Sequence, residues 1–230
     1  MGAPIFIFEG PDCVGKTTLA KTVARKCNGV YIHSTYKFRG KMWLYHLAQL
    51  RKSLRIAEKR PVILDRWWPS EVVYGNVYRD GPEYGRGYLD LHAIAEAYGA
   101  VYTFCMPMQW EQYWAFVQKN FHNEKQMFAL DEARINRLWR VYRDIALDNY
   151  HLFPDRNHRL HYYNVVQDQY RCEWFADHII SRYVNWLKHS RTPEQKASHA
   201  AVDWRNLKTK LCTTTQPEVV VDGFQRDLFA

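Results

Sequence analysis

The sequence predicts an α/β protein in which a five-stranded parallel sheet lies between two layers of helices. Five short apolar runs recur along the chain, and segments with helical periodicity separate them. Strands that alternate with helices indicate parallel pairing, because each crossover returns over one face of the sheet. With 230 residues, 47% of them hydrophobic, the chain is long enough for a domain with a full core.

The strands are predicted where apolar runs end at turn residues. They cover residues 4–8 (PIFIF), 29–34 (GVYIHS), 61–65 (PVILD), 100–106 (AVYTFCM) and 159–166 (RLHYYNVV). The first run stops before Gly10, and Pro107 closes the fourth. We therefore expect short, buried strands.

Helices are predicted between and after these strands. They cover residues 16–27, 41–60, 88–99, 109–150 with a polar break at 119–125, and 171–189. The segment 41–60 is the clearest amphipathic helix, with an apolar stripe of Leu44, Leu47, Leu50, Leu54 and Ala57. We interpret the basic row on its other side, Arg51, Arg55 and Lys59, as a solvated face rather than a binding surface.

Charge and cysteine content restrict the class of protein. The formal net charge of +8 suits a nucleic-acid partner or an anionic substrate, although many ordinary enzymes carry a similar charge. The five cysteines are scattered without a CxxC pair, which favours reduced thiols over disulfides or a zinc site. No apolar run approaches the ~20 residues that span a bilayer, and the first strand leaves no room for a signal peptide. We predict a soluble, cytoplasmic protein with no membrane partner.

The residues after the first strand, GPDCVGKT at 10–17, fit the phosphate-loop pattern G-x-x-x-x-G-K-[ST] between a strand and a helix. Backbone N–H groups of such a loop surround phosphate oxygens, and the helix N-terminus adds its positive dipole end. Lys16 would contact the β- and γ-phosphates, and the Thr17 hydroxyl would bind Mg²⁺. We predict that ATP or GTP binds through Gly10, Cys13, Val14, Gly15, Lys16, Thr17 and Thr18.

A second candidate site follows the third predicted strand. Asp65 ends that strand, at the edge where open α/β sheets bind ligands. Its carboxylate is suited either to organise Mg²⁺ or to accept a proton from an attacking oxygen, and Arg66 is suited to bind a phosphate in bidentate fashion. The alternative is an Asp–Arg pair that only caps the strand.

Together these segments resemble the thymidylate kinase family of P-loop kinases. The family pattern F-E-G-x-D-G-x-G-K-[ST]-T is matched at Phe8, Glu9, Gly10, Asp12, Gly15, Lys16, Thr17 and Thr18. The family pattern D-R-Y-x-x-S-x-x-A-Y is matched at Asp65, Arg66, Ser70 and Tyr74. The resemblance extends to about residue 188 and implies a three-layer α/β/α P-loop kinase fold. It divides the chain into a kinase domain at 1–190, with a helical lid at about 118–131, and an extension at 191–230.

The resemblance implies phosphoryl transfer from ATP to a nucleoside monophosphate. Asp12 would lie near the acceptor's sugar hydroxyl, and Arg66 would hold the acceptor phosphate. Ser70 and Tyr74 would shape the base pocket. The implied catalytic residues are Lys16, Asp65, Arg66 and Asp12, and the metal ligands are Thr17 and Asp65.

The chain departs from the family pattern at several points. Cys13 replaces a glycine, Trp67 replaces a tyrosine, and HSTYKF at 33–38 lacks the family's R-E-P segment. The lid segment 117–130 contains no arginine, although a cation there usually stabilises the transferring group. The candidate replacements are Lys119, Lys125, Arg134, Arg137, Arg140 and Arg143. These departures leave the acceptor's identity open.

The chain has nine tryptophans, and two of them follow the Asp–Arg pair directly. We predict that a base stacks on Trp67 and Trp68. Most of the other tryptophans have helical spacing and are expected to pack in the core or at an interface, such as that of a homodimer. They are Trp43, Trp110, Trp114, Trp139, Trp174 and Trp186.

The C-terminal residues FQRDLFA resemble the short peptide by which proteins dock on the bacterial sliding clamp. Leu228 and Phe229 would enter an apolar pocket, and Gln225 would form a hydrogen bond nearby. The alternative is that the Leu-Phe pair folds back on the core. Docking would hold the protein at replicating DNA.

Two hypotheses about the acceptor follow. In the first, the γ-phosphate of ATP passes to a thymidylate-like deoxynucleoside monophosphate. In the second, it passes to a hydroxymethylated pyrimidine, 5-hydroxymethyluracil, within phage DNA, where basic charge and a clamp peptide would help. A third hypothesis, a replication accessory that binds nucleotide but hydrolyses little, is disfavoured because it needs no acceptor site at Asp65 and Arg66.

Overall fold

The computed structural model describes residues 3–34, 41–79, 81–82, 87–120, 131–148, 160–165 and 171–189. Its strands are β1 (Ile5–Glu9), β2 (Val30–His33), β3 (Val62–Asp65), β4 (Val101–Cys105) and β5 (Leu160–Tyr163). The helices of this part of the chain are α1 (Lys16–Lys26), α2 (Met42–Ala57), α3 (Trp68–Tyr78), α4 (Gly87–Ala97), α5 (Trp110–Asn120), α6 (Glu132–Asp148) and α7 (Cys172–His189). The predicted α/β fold class is confirmed.

The five strands form one parallel sheet in the order β2-β3-β1-β4-β5. Phe8 of β1 pairs with Asp65 of β3, and Asp65 also pairs with His33 of β2. The carboxyl ends of these strands therefore lie side by side. The chain leaves β1 into residues 10–15 at this same edge, so the topology brings the predicted phosphate loop next to Asp65.

The core lies on both faces of the sheet. Every residue of β1, β3 and β4 is buried, because these inner strands are covered by helices on either side. The predicted stripe of α2 is confirmed: Leu47, Leu50, Leu54 and Ala57 are buried. Leu44 is partly buried and packs against the core.

Two helices far apart in sequence, α1 and α7, pack side by side. Arg25 donates to Glu173 at 2.5 Å, and Lys26 lies 2.8 Å from Asp177. Three of these four side chains are well exposed, so we expect the pairs to fix the register of the two helices more than to stabilise them.

Several predicted features lie outside the described residues. They are most of the lid at 118–131, the extension at 191–230, and the peptide residues Gln225, Leu228 and Phe229. Within the described ranges, no helix combines the length and apolar character that a membrane span requires.

Candidate active site

The loop between β1 and α1 has the backbone geometry of a phosphate-binding turn. Gly10 and Gly15 have φ angles of 139° and 72°, and Cys13 has a φ of 66°. A Cβ atom at Gly10 would lie 2.1 Å from the Cys105 carbonyl oxygen, so only glycine fits there. Gly15 is the N-cap of α1, which places the positive end of that helix at the loop.

Lys16 begins α1, and only 5% of its surface is exposed. Burial and the neighbouring Arg66 lower the pKa of Lys16, and the carboxylates of Asp65 and Asp12 only partly offset them. A polyphosphate bound in the loop would add negative charge and favour the protonated amine. The site is thus suited to an anion with several charges.

The other predicted loop residues contribute in different ways. The Val14 side chain is buried in the core, so only its backbone is available to a nucleotide. The Cys13 side chain is half-buried, and that of Thr18 is exposed. We therefore expect binding here to depend on backbone N–H groups, with Lys16 and Thr17 as the side chains that reach phosphate and metal.

Asp65 is fully buried at the end of β3, and three side chains converge on its Oδ2 atom. Thr17 and Tyr31 donate hydrogen bonds of 2.6 Å each, and the His33 Nδ1 atom lies 3.2 Å away. Although burial alone would raise the pKa of Asp65, Lys16 and these hydrogen bonds outweigh it, so the pKa is lowered. The carboxylate is therefore ionised at neutral pH.

The second oxygen of Asp65 supports the prediction of a metal ligand. Its Oδ1 atom is buried and has no hydrogen-bond partner among the described residues. Such an oxygen, beside the Thr17 hydroxyl, is the kind of ligand that Mg²⁺ prefers. These residues fit a magnesium ion that reaches the site with its nucleotide. No cluster of three or more His, Cys, Asp or Glu side chains suited to a metal occurs in the described ranges.

Arg66 links Asp12 of the phosphate loop to Tyr74 of α3. It is 4% exposed, has a φ of 72°, and its guanidinium forms a salt bridge with Asp12. The Tyr74 hydroxyl donates to the other oxygen of Asp12 at 2.7 Å, and the Arg66 guanidinium lies 5.4 Å from the Tyr74 ring centre. Although burial would raise the pKa of Asp12, Arg66 and Lys16 hold it below its usual value.

Ser70 lies behind this cluster rather than on its surface. It is 2% exposed, accepts a hydrogen bond from Arg66, and donates to Glu9 at 2.7 Å. The Tyr142 hydroxyl of α6 lies 2.9 Å from Ser70 and accepts from Arg66 at 3.2 Å. The structure therefore brings Asp12, Arg66, Ser70 and Tyr74 together, with Ser70 as a support for Arg66.

The prediction that a base stacks on Trp67 and Trp68 is wrong for this structure, because both rings are fully buried. The Trp67 indole N–H donates to the backbone carbonyl of His46 at 3.2 Å. The Trp68 ring stacks on Tyr88 at 5.0 Å, and its N–H donates to the Tyr102 hydroxyl at 3.3 Å. Their faces are used by the core, so neither is open to a nucleotide.

The other tryptophans divide between core and surface. Trp43 and Trp139 are buried as expected, and Trp110 and Trp114 stack on each other at 5.6 Å. Trp174 is 58% exposed on α7, so it does not pack in the core of this chain. The Trp186 side chain lies outside the described part of the structure.

The sequence did not predict the roles of four residues of the site. They are Tyr31, His33, Tyr142 and Glu9, whose carboxyl group accepts hydrogen bonds from Trp67 and Ser70. His33 ends β2, the strand beside β3, and Tyr31 lies two residues before it, so the strand order is needed to place both near Asp65. Tyr142 comes from a helix 76 residues away from Arg66 in sequence. No short sequence motif contains both Arg66 and Tyr142, so their contact could not be predicted.

No family model matches the chain, and a search of curated proteins finds no match. Solved structures do resemble it. The YorR protein from Bacillus subtilis, in complex with phosphorylated GDP, has a TM-score of 0.58 at 15% identity over 82% of this chain and 99% of its own. Polyphosphate kinase 2 from Arthrobacter aurescens has a TM-score of 0.58 at 12% identity, over 86% of this chain and 75% of its own. Deoxyadenosine kinase from M. mycoides with bound dATP has a TM-score of 0.47 at 13% identity, over 77% of this chain and 99% of its own.

The chain has the three-layer α/β/α fold of the P-loop kinases, with a five-stranded parallel sheet and the phosphate loop after its first strand. At these sequence identities the similarity concerns the fold. Any activity of this chain must therefore be argued from the residues of the site.

Proposed function

We propose that the protein transfers the γ-phosphate of ATP to the phosphate of a thymidylate-like deoxynucleoside monophosphate. The observation that carries this proposal is the Asp12–Arg66–Tyr74 cluster, in which Asp12 belongs to the phosphate loop itself. Arg66 would bind the acceptor phosphate through its fork of N–H donors, and Asp12 would accept a hydrogen bond from the sugar. Tyr74 fixes the orientation of Asp12.

The transfer needs two phosphates aligned across the site. An oxygen of the acceptor phosphate attacks the γ-phosphorus, the bond to the β-bridging oxygen breaks, and ADP leaves. Lys16 supplies positive charge on the donor side, and Arg66 supplies it on the acceptor side. A magnesium ion held through Thr17 and Asp65 would neutralise further charge on the donor phosphates. Catalysis by this arrangement consists of positioning and charge stabilisation.

A panel of acceptors tests the proposal. Labelled ATP is offered with each deoxynucleoside monophosphate, each deoxynucleoside, and duplex DNA with and without 5-hydroxymethyluracil. We expect label to enter thymidylate or a close analogue. Lys16→Ala should lower turnover by roughly 100-fold, because a charge-assisted contact to phosphate is lost. Lys52→Ala, an exposed lysine on α2, is the matched control and should leave turnover unchanged.

A second candidate acceptor is 5-hydroxymethyluracil within DNA. The net charge of +8 favours it, as do four exposed arginines on α6: Arg134, Arg137, Arg140 and Arg143. The burial of Trp67 and Trp68 removes one argument for it, because a flipped base would need another surface to stack on. Label in modified duplex alone, with activity that falls steeply as salt rises, would replace the first proposal with this one.

The proposed clamp peptide adds a separate expectation. If Gln225, Leu228 and Phe229 dock on a bacterial sliding clamp, the full chain should co-elute with purified clamp. A variant with Leu228→Ala and Phe229→Ala should not. Co-elution of both proteins, or of neither, would contradict the proposal.

A further inference from the structure

The two oxygens of the Asp65 carboxylate have different surroundings. Oδ2 accepts hydrogen bonds of 2.6 Å from both Thr17 and Tyr31, and the His33 Nδ1 atom lies 3.2 Å from it. Oδ1 is buried and has no hydrogen-bond partner among the residues that the structure describes. The carboxylate is therefore held through one oxygen, and the other oxygen remains available to a cation.

Tyr31 reaches Asp65 because β2 and β3 pair in a parallel register. Tyr31 pairs with Ile63, and His33 pairs with Asp65. Side chains two residues apart on a strand project from the same face of the sheet, so Tyr31 lies on the face that carries His33 and Asp65. The Tyr31 ring is partly buried and packs against the core, which limits its movement.

Helix α1 contacts Tyr31 from the other side. The Lys21 Nζ atom lies 5.7 Å from the centre of the Tyr31 ring, within the range of a cation–π contact. Lys21 follows Thr17 by four residues, so the two side chains lie on the same side of α1. One turn of this helix therefore supplies both the hydroxyl that shares Asp65 with Tyr31 and a cation that helps to orient the Tyr31 ring.

The hydrogen atoms at Oδ2 fix the direction of both hydroxyl groups. A hydroxyl has one hydrogen to donate, and Thr17 and Tyr31 each donate theirs to Oδ2. The Thr17 oxygen therefore keeps its lone pairs for a metal ion. Burial and the hydrogen bond to Asp65 raise the pKa of Tyr31, so its hydroxyl remains a donor at neutral pH.

We propose that Tyr31 is a positioning residue for the metal ion that accompanies the nucleotide. Its hydroxyl restricts rotation of the Asp65 carboxylate, so that Oδ2 serves Thr17 and Oδ1 serves the metal. Tyr31 acts through Asp65 and does not itself bind the ion. The inference rests on the proposed function, since it assumes that Thr17 and Asp65 hold magnesium. Groups that orient a metal-binding carboxylate typically change metal affinity by about 10–100-fold.

Tyr31→Phe tests this role, because it removes the hydroxyl and keeps the ring. Binding of a non-hydrolysable ATP analogue to the full chain is measured by calorimetry, once with EDTA and once with saturating magnesium. The ratio of the two affinities is the gain that magnesium provides. We expect the affinity in EDTA to stay within about twofold of the wild type and the magnesium gain to fall by about tenfold. Binding of Mn²⁺ to the analogue complex, followed by electron paramagnetic resonance, should weaken by a similar factor.

Tyr162→Phe is the matched control. Tyr162 is partly buried like Tyr31, and its hydroxyl donates to the Ala146 carbonyl at 2.8 Å. It belongs to β5, at the opposite edge of the sheet from β2. This variant also loses one tyrosine hydrogen bond, but it should keep the full magnesium gain.

The outcomes distinguish this inference from the proposed function. A Tyr31→Phe protein with the magnesium gain of the wild type would overturn the inference alone. An equal loss of affinity in EDTA and in magnesium would also overturn it, because Tyr31 would then support the loop rather than the metal ligand. A wild type without any magnesium gain would overturn the metal site of the proposed function, and this inference with it. No acceptor is present in these titrations, so the results do not depend on which acceptor the protein uses.

Discussion

Glu9 is a buried carboxylate that holds the turn carrying Arg66. Its two oxygens accept hydrogen bonds from the Trp67 backbone N–H at 2.5 Å and from the Ser70 hydroxyl at 2.7 Å. These two donors stand on either side of the start of α3, just after Arg66 with its positive φ. Glu9 therefore supports Arg66 indirectly, through the backbone of Trp67 and the side chain of Ser70.

The charge state of Glu9 leads to a prediction about pH. Burial raises the pKa of Glu9 to about 7, against 4.5 for an unperturbed side chain, despite the opposing effects of Ser70 and Arg66. Between these two values the folded state retains a proton that the unfolded chain has released. The contribution of Glu9 to stability is therefore fully present below about pH 4.5 and is lost as pH rises through 7.

Glu9→Gln removes this titration while keeping the shape of the side chain. The free energy of unfolding in urea should fall for the wild type between about pH 5 and about pH 8, and should fall less for the variant. Parallel pH profiles for the two proteins would show that Glu9 titrates normally in the fold.

The phosphate loop and α1 form one element whose geometry depends on glycine at two points. Gly10 has a φ of 139° and approaches the backbone of β4, and Gly15 has a φ of 72° and starts the helix. A side chain at Gly10 could fit only if the loop moved away from β4. Because the N–H groups that we propose to bind phosphate belong to this loop, such a movement would disturb the proposed nucleotide site directly.

Gly10→Ala should therefore reduce both stability and ATP affinity. We expect a loss of about 1–3 kcal/mol in the free energy of unfolding from strained backbone, and at least a roughly tenfold rise in the ATP dissociation constant. Urea unfolding and calorimetric titration measure the two effects.

Gly81→Ala is the comparison. Gly81 has a similar φ of 123°, but a Cβ atom there would meet nothing within 4 Å. It should lose stability through backbone strain alone and retain ATP affinity. Equal loss of ATP affinity in both variants would contradict the steric argument at Gly10.

The packing of the whole molecule buries both tryptophans that follow Arg66, although they lie beside the site in sequence. Trp67 and Trp68 follow Arg66 directly, yet they are among the largest fully buried side chains. Trp68 also connects the helices to the sheet. Its ring packs against His92 of α4, and its indole N–H donates a hydrogen bond to the Tyr102 hydroxyl of β4. Through these contacts Trp68 connects α3 to α4 and to β4 of the sheet.

Trp68→Ala should thus act on stability. Truncating a fully buried tryptophan is expected to lower the free energy of unfolding by about 3–5 kcal/mol. Trp174→Ala, at a site that is 58% exposed, should change it by no more than about 0.5 kcal/mol. A Trp68→Ala protein of normal stability and weakened acceptor binding would instead favour the base-stacking hypothesis.

Much of the site could be predicted because its key residues are contiguous in sequence with strand ends. The motif at 10–17 and the pair Asp65–Arg66 each follow an apolar run, and parallel strands put such positions at one edge. The contacts of Tyr31 and His33 with Asp65 could not be predicted, because they depend on which strand lies beside β3. The contact of Tyr142 with Arg66 could not be predicted, because it depends on how α6 packs against α3.

The sequence by itself determined the alternation of strands and helices, the phosphate loop, and the position of the arginine that follows the third strand, because periodicity and short motifs are local properties. Only the tertiary structure decided which groups converge on Asp65 and Arg66 and which way the two tryptophans face. Those features arise from strand order and from the positive φ at Arg66. The direction of the side chains after such a turn is set by the packing of the whole molecule, so it cannot be predicted from a short stretch of sequence.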